Sequence, residues 1–109
     1  MKHLLLYIFL LICPPLFSQA PSVIWENSIG GLTDDYGYFL EGTADGGYIV
    51  VGSSTSADAD MPGNFGNYDV LLTKLDNTGS IVWTKNIGGS DLEEGYNVHQ
   101  TVDGGYLIT

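Results

Sequence analysis

Asp58, Asp60, Gly63 and Asp69 stand at the spacings of positions 1, 3, 6 and 12 of an oxygen-rich calcium loop, where the glycine makes the bend and the carboxylates supply hard ligands. The match is partial: Pro62 takes a ligand position, the last acid is Asp in place of a bidentate Glu, and strands rather than helices should flank the loop. The simpler reading is a solvated acidic connection. If calcium does bind through Asp58, Asp60 and Asp69, it should do so weakly, in roughly the millimolar range of extracellular modules. No other cofactor is expected. Glu41 and His99 hold equivalent positions of an internal repeat, and a His facing a Glu is the material of a ligand or proton-transfer site, or simply of a solvated channel wall. Asp34-Asp35 and Glu93-Glu94 raise a paired-carboxylate glycosidase reading, but adjacent acids point in different directions and read better as solvated turns. Tyr36, Tyr38, Tyr48, Tyr96 and Tyr106 offer faces on which sugars stack, although several recur at repeat positions, as packing residues do. No serine, cysteine or zinc hydrolase pattern and no Gly-x-Gly-x-x-Gly or Walker pattern occurs, so no catalytic residue is assigned.

The repeat governs how these residues are positioned. Setting Trp25 over Trp83 aligns "WENSIGGLTDDYGYFLEGTADGGYIVV" with "WTKNIGGSDLEEGYNVHQTVDGGYLIT" without a gap, and eleven of twenty-seven positions are identical. Such self-similarity marks one structural unit. Repeat 1 covers residues 25–82 and a truncated repeat 2 covers 83–109. Within the period, "GYFLEGT" from Gly37 to Thr43 ends at Asp45-Gly46, a dipeptide suited to the positive φ angles of a tight hairpin. In "GYIVVGSS" both faces are apolar, Tyr48 and Val50 on one and Ile49 and Val51 on the other, as in a strand covered on both sides. "DVLLTKL" from Asp69 to Leu75 runs through Asp76-Asn77-Thr78-Gly79 into "SIVWTKNI", whose second face is partly polar.

Four antiparallel strands per period, with doubly covered middle strands and a wetter fourth, predict an all-β chain of β-propeller-type blades; about one and a half blades are present. Residues 37–87 make one blade, Gly95 to Thr109 half of the next, and Val23 to Gly30 corresponds to a fourth strand with no blade before it. A closed propeller needs at least about four blades, so the chain reads as a fragment. The stretches "W-x-x-x-x-G-G", "T-x-D-G-G-Y-x-x-x-G-x-S" and "D-V-L-L-T-K-L-D-x-x-G-x-I-x-W" resemble the blade repeats of large secreted β-propeller proteins of Bacteroidetes-type bacteria, over Val23 to Thr109. The resemblance implies a location outside the cell or on its surface, with further blades of the same protein as partners.

"MKHLLLYIFLLICPPLFSQA" has one cation at Lys2, an apolar run from Leu4 to Cys13, a Pro-Pro break and the small residues of a cleavage site, the pattern of a secretory signal peptide over 1–20, with residues 21–109 forming the repeat region. The run is shorter than the roughly 20 residues of a membrane span, so no span is expected in the mature chain. The only cysteine leaves with it, and no disulfide or thiol chemistry is expected. The chain carries 13 carboxylates against 3 lysines and a net charge of −10, which repels phosphate backbones and excludes nucleic acid as a partner. The expected function is a non-catalytic binding or scaffold module for a protein or glycan. The alternative is a fragment of a polysaccharide-acting or quinoprotein-like propeller enzyme whose catalytic residues lie in other blades.

Overall fold

The computed structural model describes residues 19–109, so the signal-peptide expectation for 1–20 lies almost wholly outside the described residues. Turn chemistry divides the chain into short strands. β1 (Asp35–Gly42), β2 (Tyr48–Ser54), β3 (Asp69–Leu75) and β4 (Ile81–Ile87) form one antiparallel sheet in that order, and β5 (Val98–Gln100) pairs with β6 (Tyr106–Ile108) in a second. The described residues are all-β, and among them no helix is long and apolar enough to cross a membrane.

The Thr-x-Asp-Gly-Gly stretch closes both outer hairpins in the same way. Thr43 donates its hydroxyl to Asp45 Oδ1 at 2.5 Å and Gly47 donates its N–H to the same oxygen at 3.0 Å, while the Thr43 N–H reaches the Gly47 carbonyl at 2.9 Å. Between β5 and β6, Thr101 and Gly105 make the same bonds to Asp103 at 2.5 and 3.1 Å. Gly46 and Gly104 take φ of 84° and 86°, a conformation that a side chain resists. In the β3–β4 turn the Asp76 carboxylate accepts from the Thr78 amide and hydroxyl and from the Ser80 amide.

These donors hold all three carboxyls below the ordinary carboxylate value: Asp45 through Thr43 first, then Gly47 and Lys74; Asp76 through Thr78; Asp103 through Thr101. A carboxyl whose folded value is depressed contributes stability that is whole above its unfolded value and lost as pH falls through the folded one. The urea midpoint is therefore expected to be level at neutral pH and to fall below about pH 4, with Asp45→Asn shrinking the fall. A midpoint unchanged between about pH 5 and 2.5 would contradict this role for the turns.

Ile49, Val51, Val70 and Leu72 project from one face of the large sheet and meet Val98 of the second hairpin in a buried core, with Phe39, Trp83, Tyr106 and Ile108 packed around it. On the opposite face Leu71, Thr73 and Leu75 are buried, while Tyr48 and Val50 are only partly covered. β2 is thus fully covered on one side alone.

Val23 to Gly30 forms no strand, in contrast to the sequence expectation. A strand needs a neighbour's hydrogen bonds, and no ladder partner flanks this segment among the described residues. It nevertheless keeps the side-chain contacts of its repeat equivalent. Trp25 tilts against Tyr48 with ring centroids 5.5 Å apart, and Trp83 of β4 meets Tyr106 at 5.8 Å, the same Trp–Tyr pair one period later. Likewise the Gly31 N–H donates to Asp35 at 2.7 Å and the Gly89 N–H to Glu93 at 3.0 Å.

Candidate functional site

The site grows from an irregularity in the β1–β2 pairing. Gly37 pairs with Gly52 and Phe39 with Val51, so Tyr38 is left without a ladder partner in a β-bulge. Bulges redirect side chains and occur at sheet edges, and β1 is an edge strand. Gly52 permits the close approach on the partner side: a Cβ there would stand 1.7 Å from the Tyr36 carbonyl oxygen. Tyr36 and Tyr38, two residues apart on β1 and so on one side of it, lie side by side with their rings 6° from parallel and centroids 6.3 Å apart.

Two further tyrosines extend this pair into a strip. Tyr68, just before β3, tilts against Tyr36 at 6.0 Å, and Tyr96, just before β5, tilts against Tyr38 at 5.0 Å. The order is Tyr68, Tyr36, Tyr38, Tyr96. Tyr36, Tyr38 and Tyr96 remain 47%, 40% and 57% exposed, although they touch one another. Packing residues of a closed core would not leave that much ring in water.

Carboxylates border the hydroxyl ends of the strip. Tyr68 donates to Asp34 Oδ2 at 3.1 Å, Tyr38 donates to Glu94 Oε1 at 3.4 Å, and Tyr96 donates to the other Glu94 oxygen. Loss of water contact, followed by the Asp34 hydrogen bond, pushes the Tyr68 hydroxyl up to about 12. The Glu94 hydrogen bond raises Tyr96 above its ordinary value as well. Both hydroxyls therefore stay protonated donors through neutral pH.

Each acid pair is split between different partners. Asp35 turns inward to accept from Gly31 and from the hydroxyls of Ser54 and Ser56, at 2.5 and 3.0 Å for the serines. Glu93 serves Gly89 in the same manner. Asp34 and Glu94 face the tyrosines, so neither adjacent pair presents two carboxylates to one reacting atom.

Glu41 and His99 do come together: His99 Nδ1 lies 2.6 Å from Glu41 Oε2, and the His99 ring meets Phe39 edge-on at 6.0 Å. The pair joins β1 to β5, beside the Ala44 N–H that donates to Gln100 Oε1 at 2.8 Å. It ties the two sheets together across one repeat.

The three acids of the calcium-like loop take separate partners. Asp58 Oδ1 accepts from the Leu32 amide at 2.9 Å and Asp60 Oδ2 from the Gly30 amide at 3.3 Å. Asp69 is fully buried at the start of β3, where Oδ2 accepts from the Phe65 amide at 2.7 Å. Among the described residues no group of three or more His, Cys, Asp or Glu side chains is arranged to hold a metal ion. Of the five tyrosines singled out from sequence, Tyr36, Tyr38 and Tyr96 meet in the strip, whereas Tyr48 and Tyr106 pack against tryptophans. Tyr68 was not among them; its one sequence signal is an aromatic directly ahead of a strand, at the end of a Gly- and Asn-rich loop.

With this geometry in hand, comparison of the chain with family models, curated proteins and solved structures finds no match.

Proposed function

We propose that the chain is part of a secreted or cell-surface β-propeller protein and acts as a non-catalytic binding module, with the tyrosine strip as its platform for a glycan. The propeller reading is supported by the four-strand antiparallel unit and by contacts that repeat after one sequence period. The binding reading rests on one observation, four touching tyrosines on the surface with carboxylates at their hydroxyl ends. Tyrosine rings offer apolar faces to the C–H side of a sugar ring, and carboxylates accept hydrogen bonds from its hydroxyls. The rings stand in a row, Tyr68, Tyr36, Tyr38 and Tyr96, which suits an extended chain of sugars better than a compact ligand.

Calorimetry of the full chain against a panel of soluble oligosaccharides tests the reading. Tyr38→Ala and Tyr96→Ala should each weaken binding about tenfold, on the scale of one aromatic contact. Val102→Ala, a change at an exposed residue away from the strip, should leave it unaltered. Equal affinities for all three variants and the parent chain would refute the platform.

A further inference from the structure

We infer that the strip is built for glycans carrying protonated amino groups, that is, oligomers of amino sugars, with the tyrosine faces and the carboxylates of Asp34 and Glu94 acting together on the ammonium groups. This rests on the glycan-platform reading and names its substrate class. The observation behind it is a charge imbalance at the site. Asp34 and Glu94 are exposed, and the side-chain partners they take are tyrosine hydroxyls, which are neutral donors. Among the described residues neither makes a salt bridge; Lys74 pairs with Asp45, and His99 hydrogen-bonds with Glu41.

The chain has few cations of its own to supply. It contains three lysines and no arginine. Lys74 is buried, bonded to Asp45 at 3.1 Å and to the Leu75 carbonyl at 2.8 Å, and the Lys85 ammonium stands 5.7 Å from the Trp83 ring centroid. Both are engaged away from the strip.

Three ligand charges can be compared on this surface. An acidic glycan would bring like charge to a protein of net charge −10 and to two exposed carboxylates. A neutral glycan would use the rings but leave the carboxylates with hydroxyl contacts only. An amino sugar uses everything present: its C–H face lies on a ring, and its ammonium meets both the negative face of a neighbouring tyrosine and a carboxylate. The row of rings from Tyr68 to Tyr96 repeats aromatic faces along one line, with Asp34 at one end and Glu94 at the other. That spacing of acids favours several amines on one chain over a single cation.

The test uses the full chain at mildly acidic pH, with calorimetric titration by β-linked glucosamine oligomers, their fully N-acetylated counterparts and neutral glucose oligomers of the same length. Glucosamine oligomers should bind about tenfold more tightly than either of the others, and added salt should erode that advantage. Glu94→Gln and Asp34→Asn should each weaken glucosamine binding about fivefold and the other two series by a smaller factor, so that the glucosamine advantage shrinks, while Tyr38→Ala should weaken whichever series bind. Melting curves of each variant, compared with the parent, separate lost contacts from lost folding. Equal binding of all three series, insensitive to Glu94→Gln, would overturn the amino-sugar inference and leave the platform standing. Failure of every oligosaccharide would overturn both. Binding of a lysine oligomer with no binding of glucosamine oligomers would also overturn both, and identify a basic peptide as the ligand.

Discussion

Gly52→Ala is expected to cost about 3–5 kcal/mol, a large part of the roughly 5–15 kcal/mol available to a folded domain. The added Cβ would stand 1.7 Å from the Tyr36 carbonyl oxygen and 2.8 Å from its carbon, both backbone atoms of the paired strand. A flexible side chain could move aside, but this backbone is fixed by the ladder around it: Tyr36 pairs with Ser53 and Asp35 with Ser54. Relief requires β1 to move away from β2, which breaks the hydrogen bonds that hold the bulge. Gly42→Ala is the matched control, because nothing lies within 4 Å of a Cβ built there. It should change stability by no more than about 0.5 kcal/mol. Urea unfolding followed by far-ultraviolet circular dichroism reads both. If Gly52→Ala unfolds at the same midpoint as Gly42→Ala, the close approach at the bulge is wrong.

Ile49→Ala should be the most damaging of the core truncations, at about 2–5 kcal/mol. Ile49 has no exposed surface and lies in the cluster with Val51, Val70, Leu72 and Val98, the buried core that joins the two sheets. Truncation removes buried methyl groups and leaves a cavity that neighbours on two sheets can fill only by moving toward each other. Leu40→Ala on β1, where the side chain is half exposed, should cost well under half as much. Trp83 packs against the same cluster, so its fluorescence should shift in Ile49→Ala before global unfolding and stay put in Leu40→Ala. Similar losses in the two variants would show that the core does not lie between the sheets.

Much of this fold is legible locally. The turns at Asp45-Gly46 and Asn77-Gly79 carry their own chemistry, with a carboxylate that folds back on neighbouring amides and a glycine that takes positive φ, so four strands can be placed from the sequence to within about two residues. β1 starts at Asp35 rather than Gly37 because Ser54 pairs with it, a contact set by the other strand. The bulge is illegible for the same reason: Gly37 and Gly52 are unremarkable separately, and only their pairing leaves Tyr38 outside the ladder. Val23 to Gly30 resembles β4 in sequence but has no strand to pair with among the described residues, which pattern alone does not reveal. The candidate site is legible in composition but not in membership. Tyr36, Tyr38 and Tyr96 stand among the five tyrosines whose faces could stack on sugars, whereas Tyr68 joins them through tertiary packing. Asp58, Asp60 and Asp69 share a calcium-loop spacing in the sequence, whereas the backbone amides of Leu32, Gly30 and Phe65 that bond them are tertiary partners the spacing does not reveal.

Two of the contacts between sheets join residues that occupy the same place in successive copies: Tyr38 with Tyr96, and Glu41 with His99, the latter 58 residues apart. When such a segment is first duplicated, each of these positions must face its own twin. Tyrosine tolerates that, since two rings tilted at 37° with centroids 5.0 Å apart attract. Glutamate does not, because a faithful copy would set two carboxylates where Glu41 and His99 now stand 2.6 Å apart, and like charges at that range repel. Exchange of one partner for histidine converts the clash into a hydrogen bond. The geometry therefore imposes opposite pressures on neighbouring positions, identity at the tyrosine and divergence at the glutamate, and a tandem array with Glu in both copies would be less stable than the one seen here.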